Sequence, residues 1–476
     1  MFDPVAYINE PRWQTMSLGL ERISELLERL GNPQEHLRFV HVAGTNGKGS
    51  TCAFMARILQ ESGYKVGLFT SPYIEYFEER IRINGCPISR EALCEVTLLV
   101  RDVAEAMEEH PTEFELMTAV AFLYFAREEC DVVVAEVGLG GRLDSTNIIK
   151  TVEVGLIAPI SYDHCALLGN TLSEIAHEKA GIIKPGMAVV SAKQEDEAAR
   201  VLTECAAQKG ASLRFVNVDS LQGANDDFSY CTQQQYAVES RQEDVLKEGP
   251  ASSRQADCAS SSDKEHVCVS NAPTKTYDHL HLSLLGSYQR FNAALAIEGC
   301  EVLRQKGWGI PDEALYKGLA HAYWPGRFEL ISIAPDVLID GAHNIHAARQ
   351  LVHELDQRYP LRRIIFCLGV MADKDHQEML ELYAPIAKAF ICYAPFMDRA
   401  LPAHKLATEA MKTLAQLPEE EHGQGCVVQI AASPAQALHT AFEIAGEHDV
   451  ICCCGSLYGI AALKEAFSQE IPKRDA

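Results

Sequence analysis

The chain has no C-x-x-C pair and no apolar run approaching the length of a membrane span. The first absence removes the zinc-ribbon and thioredoxin-type readings of its 16 cysteines, which lie scattered through helical and strand patterns. Buried free thiols in a reducing compartment explain them better than disulfides do. The second absence excludes a membrane-spanning helix. The start, Met1-Phe-Asp-Pro4, lacks the basic and apolar regions of a secretory signal. A cytoplasmic protein with no membrane partner is expected. Positive charge is also scarce, with 42 Lys and Arg against 66 Asp and Glu and a net charge of −24. That balance argues against nucleic acid as a partner, favours solubility, and leaves room for a local basic site for an anionic ligand.

What is present is enough for two domains: 476 residues with an ordinary 47% hydrophobic content. Short apolar runs at 38–42, 64–71, 131–136, 152–160 and 187–190 alternate with helical patterns at 20–30, 50–61, 89–109 and 114–129. Such alternation predicts an α/β fold with a mainly parallel sheet. Residues 218–277 break the pattern, being rich in Ser, Gln, Asp and Ala, and read as a polar surface insertion that is at least partly disordered. Trp324-Pro-Gly-Arg327 reads as a hinge. A second α/β series follows, with strands expected near 336–340, 363–369, 388–393, 426–430 and 449–454. The expected division is 1–323, a hinge at 324–327, and 328–476, with a ligand cleft between the two domains.

The segment His41-Val-Ala-Gly-Thr-Asn-Gly-Lys-Gly-Ser-Thr51 carries the strongest chemical signal. Strand, glycine loop and helix in that order build a phosphate cradle, because glycines let the backbone approach the oxygens and a helix N-terminus presents free N–H groups. Lys48 would add a charge for the outer phosphates. The spacing departs from G-x-x-x-x-G-K-[ST], with Gly49 standing between Lys48 and Ser50, so the loop is a variant; a tight glycine turn before an ordinary helix is the other reading.

Further candidates stand at strand ends, where open α/β sheets place their functional groups. Glu136 ends a Val-rich strand and is costly to bury alone, so it needs a partner, either a structural one or Mg²⁺ held between carboxylate and phosphate. Taken with the phosphate loop, the metal is the better reading. His164 reads on its own as a structural histidine. Glu178-Lys-Ala-Gly-Ile-Ile-Lys184 reads as a helix C-terminus with Gly181 in the cap region. Asp340 ends a strand of the second series, where a helix-capping role for an Asp or Asn of Leu338-Ile-Asp-Gly-Ala-His-Asn344 is the alternative to a binding one.

Several ordered motifs together resemble the folylpolyglutamate synthase/dihydrofolate synthase family of the Mur ligase superfamily. They are Gly44-Thr-Asn-Gly-Lys-Gly-Ser50, Thr70-Ser-Pro72, Glu79-Arg-Ile-Arg-Ile-Asn-Gly85 and Glu136-Val-Gly-Leu-Gly-Gly-Arg-Leu-Asp-Ser-Thr-Asn147. His164 with Leu168-Gly169, Glu178 to Gly186, and Leu285-Gly-Ser-Tyr-Gln-Arg-Phe-Asn-Ala-Ala294 continue the series. Trp324-Pro-Gly-Arg-Phe-Glu329, Asp340-Gly-Ala-His-Asn344, Leu368-Gly-Val-Met-Ala-Asp-Lys-Asp375 and Gly455-Ser-Leu-Tyr458 complete it. The resemblance covers nearly the whole chain except 218–277. It implies a P-loop N-terminal domain and a Rossmann-like C-terminal glutamate ligase domain. Gly44, Thr45, Asn46, Gly47, Lys48, Gly49 and Ser50, with Asn292, Arg327 and Asp340, would hold ATP. Ser71, Glu136 and His164 would hold Mg²⁺. Lys179 matches a carbamylated lysine able to hold a second Mg²⁺, a reading that replaces the helix-cap one. Thr112, Leu143, Asp144 and Ser145 match positions that contact a pterin substrate. Ser145 stands where alanine is common, the strand before His164 is looser than usual, and 218–277 is long and polar for the family.

The implied reaction is ATP-dependent amide formation between L-glutamate and the carboxylate of a folate or of dihydropteroate, through an acyl phosphate, in a monomeric enzyme. His343 is a candidate base for the glutamate amine; a structural or substrate-contacting role is the alternative. Two other functions are weighed. A Mur-type ligase acting on a cell-wall nucleotide is disfavoured by the pterin-matching residues. A non-enzymatic nucleotide switch would need a guanine-specifying N-K-x-D, and Ala372-Asp-Lys-Asp375 does not fit it.

Overall fold

The computed structural model describes residues 2–11, 19–232, 274–417 and 425–474. The first sheet is built from β1 (Phe39–Ala43), β2 (Val66–Phe69), β3 (Ile81–Ile83), β4 (Cys86–Pro87), β5 (Val132–Glu136), β6 (Val152–Ile157), β7 (Ala188–Ser191) and β8 (Ser212–Phe215). Its order is β4-β3-β2-β5-β1-β6-β7-β8. All neighbours are parallel except β2/β3 and β3/β4.

The Val-rich run of β5 is explained by burial on both faces. Val132 and Val134 pack with the helices Lys48–Glu61 and Gln289–Gln305, while Val133 and Ala135 pack with Arg90–Ala104 and Glu113–Arg127 on the other side. A strand of a parallel sheet covered by helices on both faces has no solvent-facing set, so its sequence is continuously apolar. The antiparallel β3–β4 edge turns through Asn84 (φ 48°) and Gly85 (φ 79°), the left-handed pair that an Asn-Gly two-residue hairpin requires.

A second, three-stranded sheet, β9 (Gln222–Ala224), β10 (Asp227–Cys231) and β11 (Thr276–Leu280), occupies the ends of the stretch expected to be a polar insertion. Residues 218–232 and 274–277 are therefore ordered, while 233–273 lie outside the described residues. The polar composition hid an alternation in which Phe228, Tyr230 and Tyr277 are buried. Tyr230 donates to Glu298 Oε1 at 2.8 Å, and Arg214 Nη1 lies 3.3 Å from Glu298 Oε2, a buried ion pair on the helix Gln289–Gln305. Tyr230→Phe removes one partner of that carboxylate. A loss of about 1–3 kcal/mol in denaturant unfolding is expected; an unchanged midpoint would show that the small sheet does not dock through this contact.

The second α/β unit has a six-stranded sheet of β12 (Glu329–Ser332), β13 (Asp336–Ile339), β14 (Ile364–Leu368), β15 (Ala387–Cys392), β16 (Val427–Ile430) and β17 (Val450–Cys454), in the order β12-β13-β17-β14-β15-β16. Only β12 runs antiparallel to its neighbour. Cys452 and Cys454 enter the core on one face and Cys453 on the other. The cysteine triplet thus serves as small apolar filler, and the described cysteines are all free thiols. Among the described residues no helix is long and apolar enough to cross a membrane.

Candidate active site

Four loops leave the C-terminal ends of β1, β2, β5 and β6 and meet at the carboxyl end of the first sheet, with β1 between β5 and β6 at the topological switch. The second domain brings the ends of β13, β14 and β17 to the same place. Together they enclose a cleft of about 1290 Å³. Residues 44–50, Ser71, Glu136, His164, Lys179, Asn292, Arg327, Asp340 and His343 all line it.

The helix after the glycine loop begins at Lys48, two residues before the expected start. Its N-cap is Gly47 in the left-handed region, with no side chain capping the first turn. The first N–H groups are left for an anion in the cleft. Close packing requires the glycines: a Cβ at Gly44 would lie 2.7 Å from Ala158 Cβ, at Gly47 2.4 Å from Asn292 Oδ1, and at Gly49 2.6 Å from the Trp324 ring. Asn292 donates to Gln289 Oε1 at 2.9 Å, and Gln289 donates to Ser50 Oγ at 3.3 Å, tying the later helix to the loop. Lys48 Nζ donates to the Thr45 carbonyl at 3.2 Å.

Charged groups buried around this loop have displaced pKa values. Burial raises the Glu136 carboxyl, and nearby Lys48 pulls it back down; Oε2 accepts from Ser71 N–H at 3.3 Å. Burial, then the charge of Lys48, lowers Lys179 to about 7, and its Nζ donates to the Gly44 carbonyl at 2.9 Å. A large neutral fraction near pH 7 is the form that can add carbon dioxide. Burial lowers His164 to about 4, against the pull of Asp163, so its ring is neutral at pH 7 and keeps a lone pair for a metal. A backbone cradle, a cation for phosphate, a buried carboxylate, a neutral imidazole and an amine open to carbamylation fit a nucleotide with a divalent metal. Among the described residues no three His, Cys, Asp or Glu side chains form a metal-holding group, so a ligand set here must also draw on Ser71, Lys179 or phosphate oxygens.

Across the cleft, Asp340 is fixed by N–H groups of Phe328 and Ala342, both at 2.7 Å, and by Tyr288 Oη at 3.4 Å. Burial raises its carboxyl, opposed by Arg327. The helix-capping reading attaches instead to Asn344, whose Oδ1 accepts from Ala347 N–H at 2.9 Å. His343 Nδ1 lies 2.8 Å from the Gly341 carbonyl, which can only accept, so Nδ1 is the donor of that pair.

Residues 42–299 match the Mur ligase middle domain, and residues 326–457 match the Mur ligase glutamate ligase domain. The dihydrofolate synthase/folylpolyglutamate synthase of Bacillus subtilis strain 168 is 38% identical over 94% of this chain and 94% of its own. The chain belongs to the folylpolyglutamate synthase/dihydrofolate synthase family. The solved structure of Escherichia coli FolC in complex with DHPP and ADP superposes with a TM-score of 0.79 at 28% identity, covering 98% of this chain and 97% of that one. A bifunctional folylpolyglutamate synthase/dihydrofolate synthase with Mn, AMPPNP and L-glutamate bound gives a TM-score of 0.77 at 27% identity, each chain 98% covered.

In this family member the four pterin-matching residues do not line the cleft. They stand behind its Gly138–Leu139 wall. Asp144 Oδ2 accepts from Leu139 N–H at 2.9 Å, and Thr112 caps the helix Glu113–Arg127 in a reciprocal box with Glu115. Phe114, next in that helix, presses so closely on Gly138 that a Cβ there would lie 2.5 Å from the ring. Leu143 is half-buried and Ser145 opens a 3₁₀ turn. Sequence reasoning assigned no role to Asp163 and Lys374. Asp163 Oδ1 accepts from Lys374 Nζ at 2.6 Å, and Oδ2 accepts from Asn344 at 3.1 Å with His343 Nε2 at 3.6 Å. Burial would raise the Asp163 carboxyl, but His343, His164 and Lys374 hold it far below its ordinary value. Lys374 stands in the Leu368–Asp375 motif and Asp163 directly precedes His164, yet no local pattern announces a pairing across 211 positions. Asn46 of the glycine loop is likewise within hydrogen-bonding distance of Asn344 and His346 of the second domain.

Proposed function

We propose that this chain joins L-glutamate to the terminal carboxylate of a reduced folate and to that of 7,8-dihydropteroate, consuming ATP in the cytoplasm as a monomer. The observation that carries the reading is the single cleft in which a phosphate loop, a buried carboxylate and a buried lysine face Arg327, Asp340 and His343 of a glutamate ligase domain. The folate synthase relatives favour it over a cell-wall substrate.

In the proposed reaction a carboxylate oxygen of the folate attacks the γ-phosphorus and ADP leaves. The glutamate amine then attacks the acyl carbon, phosphate leaves, and the amine gives up a proton. Lys48 and the free N–H groups of the helix Lys48–Glu61 hold phosphate oxygens as charge builds on them. Ser71, Glu136 and His164, with Lys179 as a carbamate, would hold Mg²⁺, which when bound neutralises phosphate charge. His343 would take the amine proton through Nε2. Asp163, bonded to Lys374 and Asn344, draws the second domain onto the first and excludes water from the acyl phosphate.

The acyl phosphate is tested with 7,8-dihydropteroate or tetrahydrofolate labelled with ¹⁸O in the reacting carboxylate. Transfer of one label to inorganic phosphate, with glutamyl product seen by mass spectrometry, is expected. Product formed with unlabelled phosphate would refute the intermediate.

A further inference from the structure

The loop after β2 carries more than Ser71. Ile74 is 6% exposed and, among the described residues, is the one from the first domain within a core cluster otherwise made of the second domain, including Val337, Ile339, Leu457 and Ile460. Its neighbour Glu75 places Oε1 2.7 Å from Lys464 Nζ, on the helix Ile460–Arg474. The same ammonium donates to Glu329 Oε1 at 2.9 Å and lies 3.4 Å from Tyr323 Oη. Glu329 in turn accepts from the hinge N–H of Gly326 at 2.7 Å. The hinge lies tight against the same helix, since a Cβ at Gly326 would stand 2.5 Å from Ile460 Cδ1.

The other end of the loop is anchored in the first domain. Glu79 Oε2 accepts from the N–H groups of Ile74 at 3.1 Å and Glu75 at 3.4 Å. Arg82, 3.7 Å from Glu79, sits with its guanidinium 5.9 Å from the Trp324 ring centre. Burial alone would lower the Lys464 ammonium; the bonds to Glu75 and Glu329 outweigh it and hold it charged. Loop, hinge and final helix thus meet at one ammonium and two carboxylates, four residues from Ser71.

We propose that Ile74 and the Glu75–Lys464–Glu329 cluster form a closure latch, positioning residues that set Ser71 at the phosphate end of the cleft only when the second domain is seated. Opening the hinge withdraws Ile74 from its apolar socket and Lys464 from Glu75, and frees the backbone that carries Ser71. Domain position and metal affinity are thereby coupled through one short segment. This rests on the proposed reading of Ser71 as a metal-holding residue.

The test uses the full chain with Glu75→Lys, Lys464→Glu and both together, alongside Ile74→Ala and Ser71→Ala. In the metal-free protein, hydrogen exchange at the amides of Ile74 and Glu75 is expected to quicken at least about threefold in each single reversal, the scale of a lost partly exposed ion pair. The Mg²⁺ concentration giving half-maximal phosphate release should rise by a similar factor. The double exchange keeps one ammonium and two carboxylates in the cluster and should restore most of both quantities. Ile74→Ala, which keeps every charge, should move both in the same direction as the single reversals. Glu75→Gln replaces a reversal that impairs folding. Unchanged exchange and metal requirement in the single variants, or a double variant no better than the worse single, overturns the latch. If Ser71→Ala raises the metal requirement while the reversals do not, the latch alone fails; if Ser71→Ala leaves it unchanged, the reading of Ser71 fails.

Discussion

Lys48→Ala is expected to lower kcat for ATP-dependent glutamate addition by about 10²- to 10³-fold, the scale of removing one preorganised electrostatic donor from a reacting centre. The variant should stay folded. Lys48 begins a helix whose hydrophobic packing comes from Cys52, Phe54, Met55, Ile58 and Leu59, and among the described residues its ammonium bonds only the Thr45 carbonyl, at 3.2 Å. Circular dichroism and thermal melting check the fold, and single-turnover phosphate release checks the chemistry. Loss of rate with an unchanged melt supports the assignment. A near-normal rate would remove Lys48 from phosphate chemistry and return the loop to a glycine turn before an ordinary helix.

Lys179→Ala should lower activity at least about 10- to 100-fold, the range seen when even an outer partner of a metal site is lost. The position is specific. Lys179 is 3% exposed, sits in the last turn of the helix Leu172–Ala180, and bonds the carbonyl of Gly44 at the root of the phosphate loop. Burial and Lys48 bring its amine to about 7. The neutral amine adds carbon dioxide with loss of one proton and becomes an anion, which reverses the repulsion from Lys48 into attraction. The neutral fraction grows as pH rises through about 7, so carbamate occupancy should fall as pH drops below that value. In protein equilibrated with ¹³C-bicarbonate, a carbamate carbon signal is expected that Lys179→Ala lacks, and formate or acetate should restore part of the variant's activity. No such signal, together with no rescue, would leave Lys179 as a buried structural amine.

The parallel sheets were legible because burial on both faces leaves only apolar strands, as in Val132–Glu136 and Val450–Cys454. The phosphate loop was legible because its glycines stand between a strand and a helix. What the sequence concealed was of two kinds. Short antiparallel edges, such as β3–β4 around Asn84-Gly85 and the sheet holding Phe228, Tyr230 and Tyr277, carry alternations of a few residues that polar composition outweighs. The Asn-Gly pair was nonetheless a readable hairpin signal. Contacts between domains leave no local trace at all: Asp163 with Lys374 and Glu75 with Lys464 pair across a topology that only folding brings together. Gly181 is the C-cap of the helix Leu172–Ala180, as the helix-cap reading expected, and has a second role that no local pattern showed. Gly181 keeps right-handed helical geometry, and a Cβ there would lie 2.3 Å from Arg142 Cα, so the glycine serves a close approach between segments.

The proposed coupling of a folate carboxylate to glutamate at the expense of ATP requires all three ligands in one cleft. Its most direct test is phosphate release from ATP measured with no addition, with glutamate alone, with 7,8-dihydropteroate or tetrahydrofolate alone, and with each pterin plus glutamate. Sustained release is predicted only where a pterin and glutamate are present together. Release at the same rate in every mixture would contradict the ligase reading and leave a nucleotide hydrolase or switch in its place.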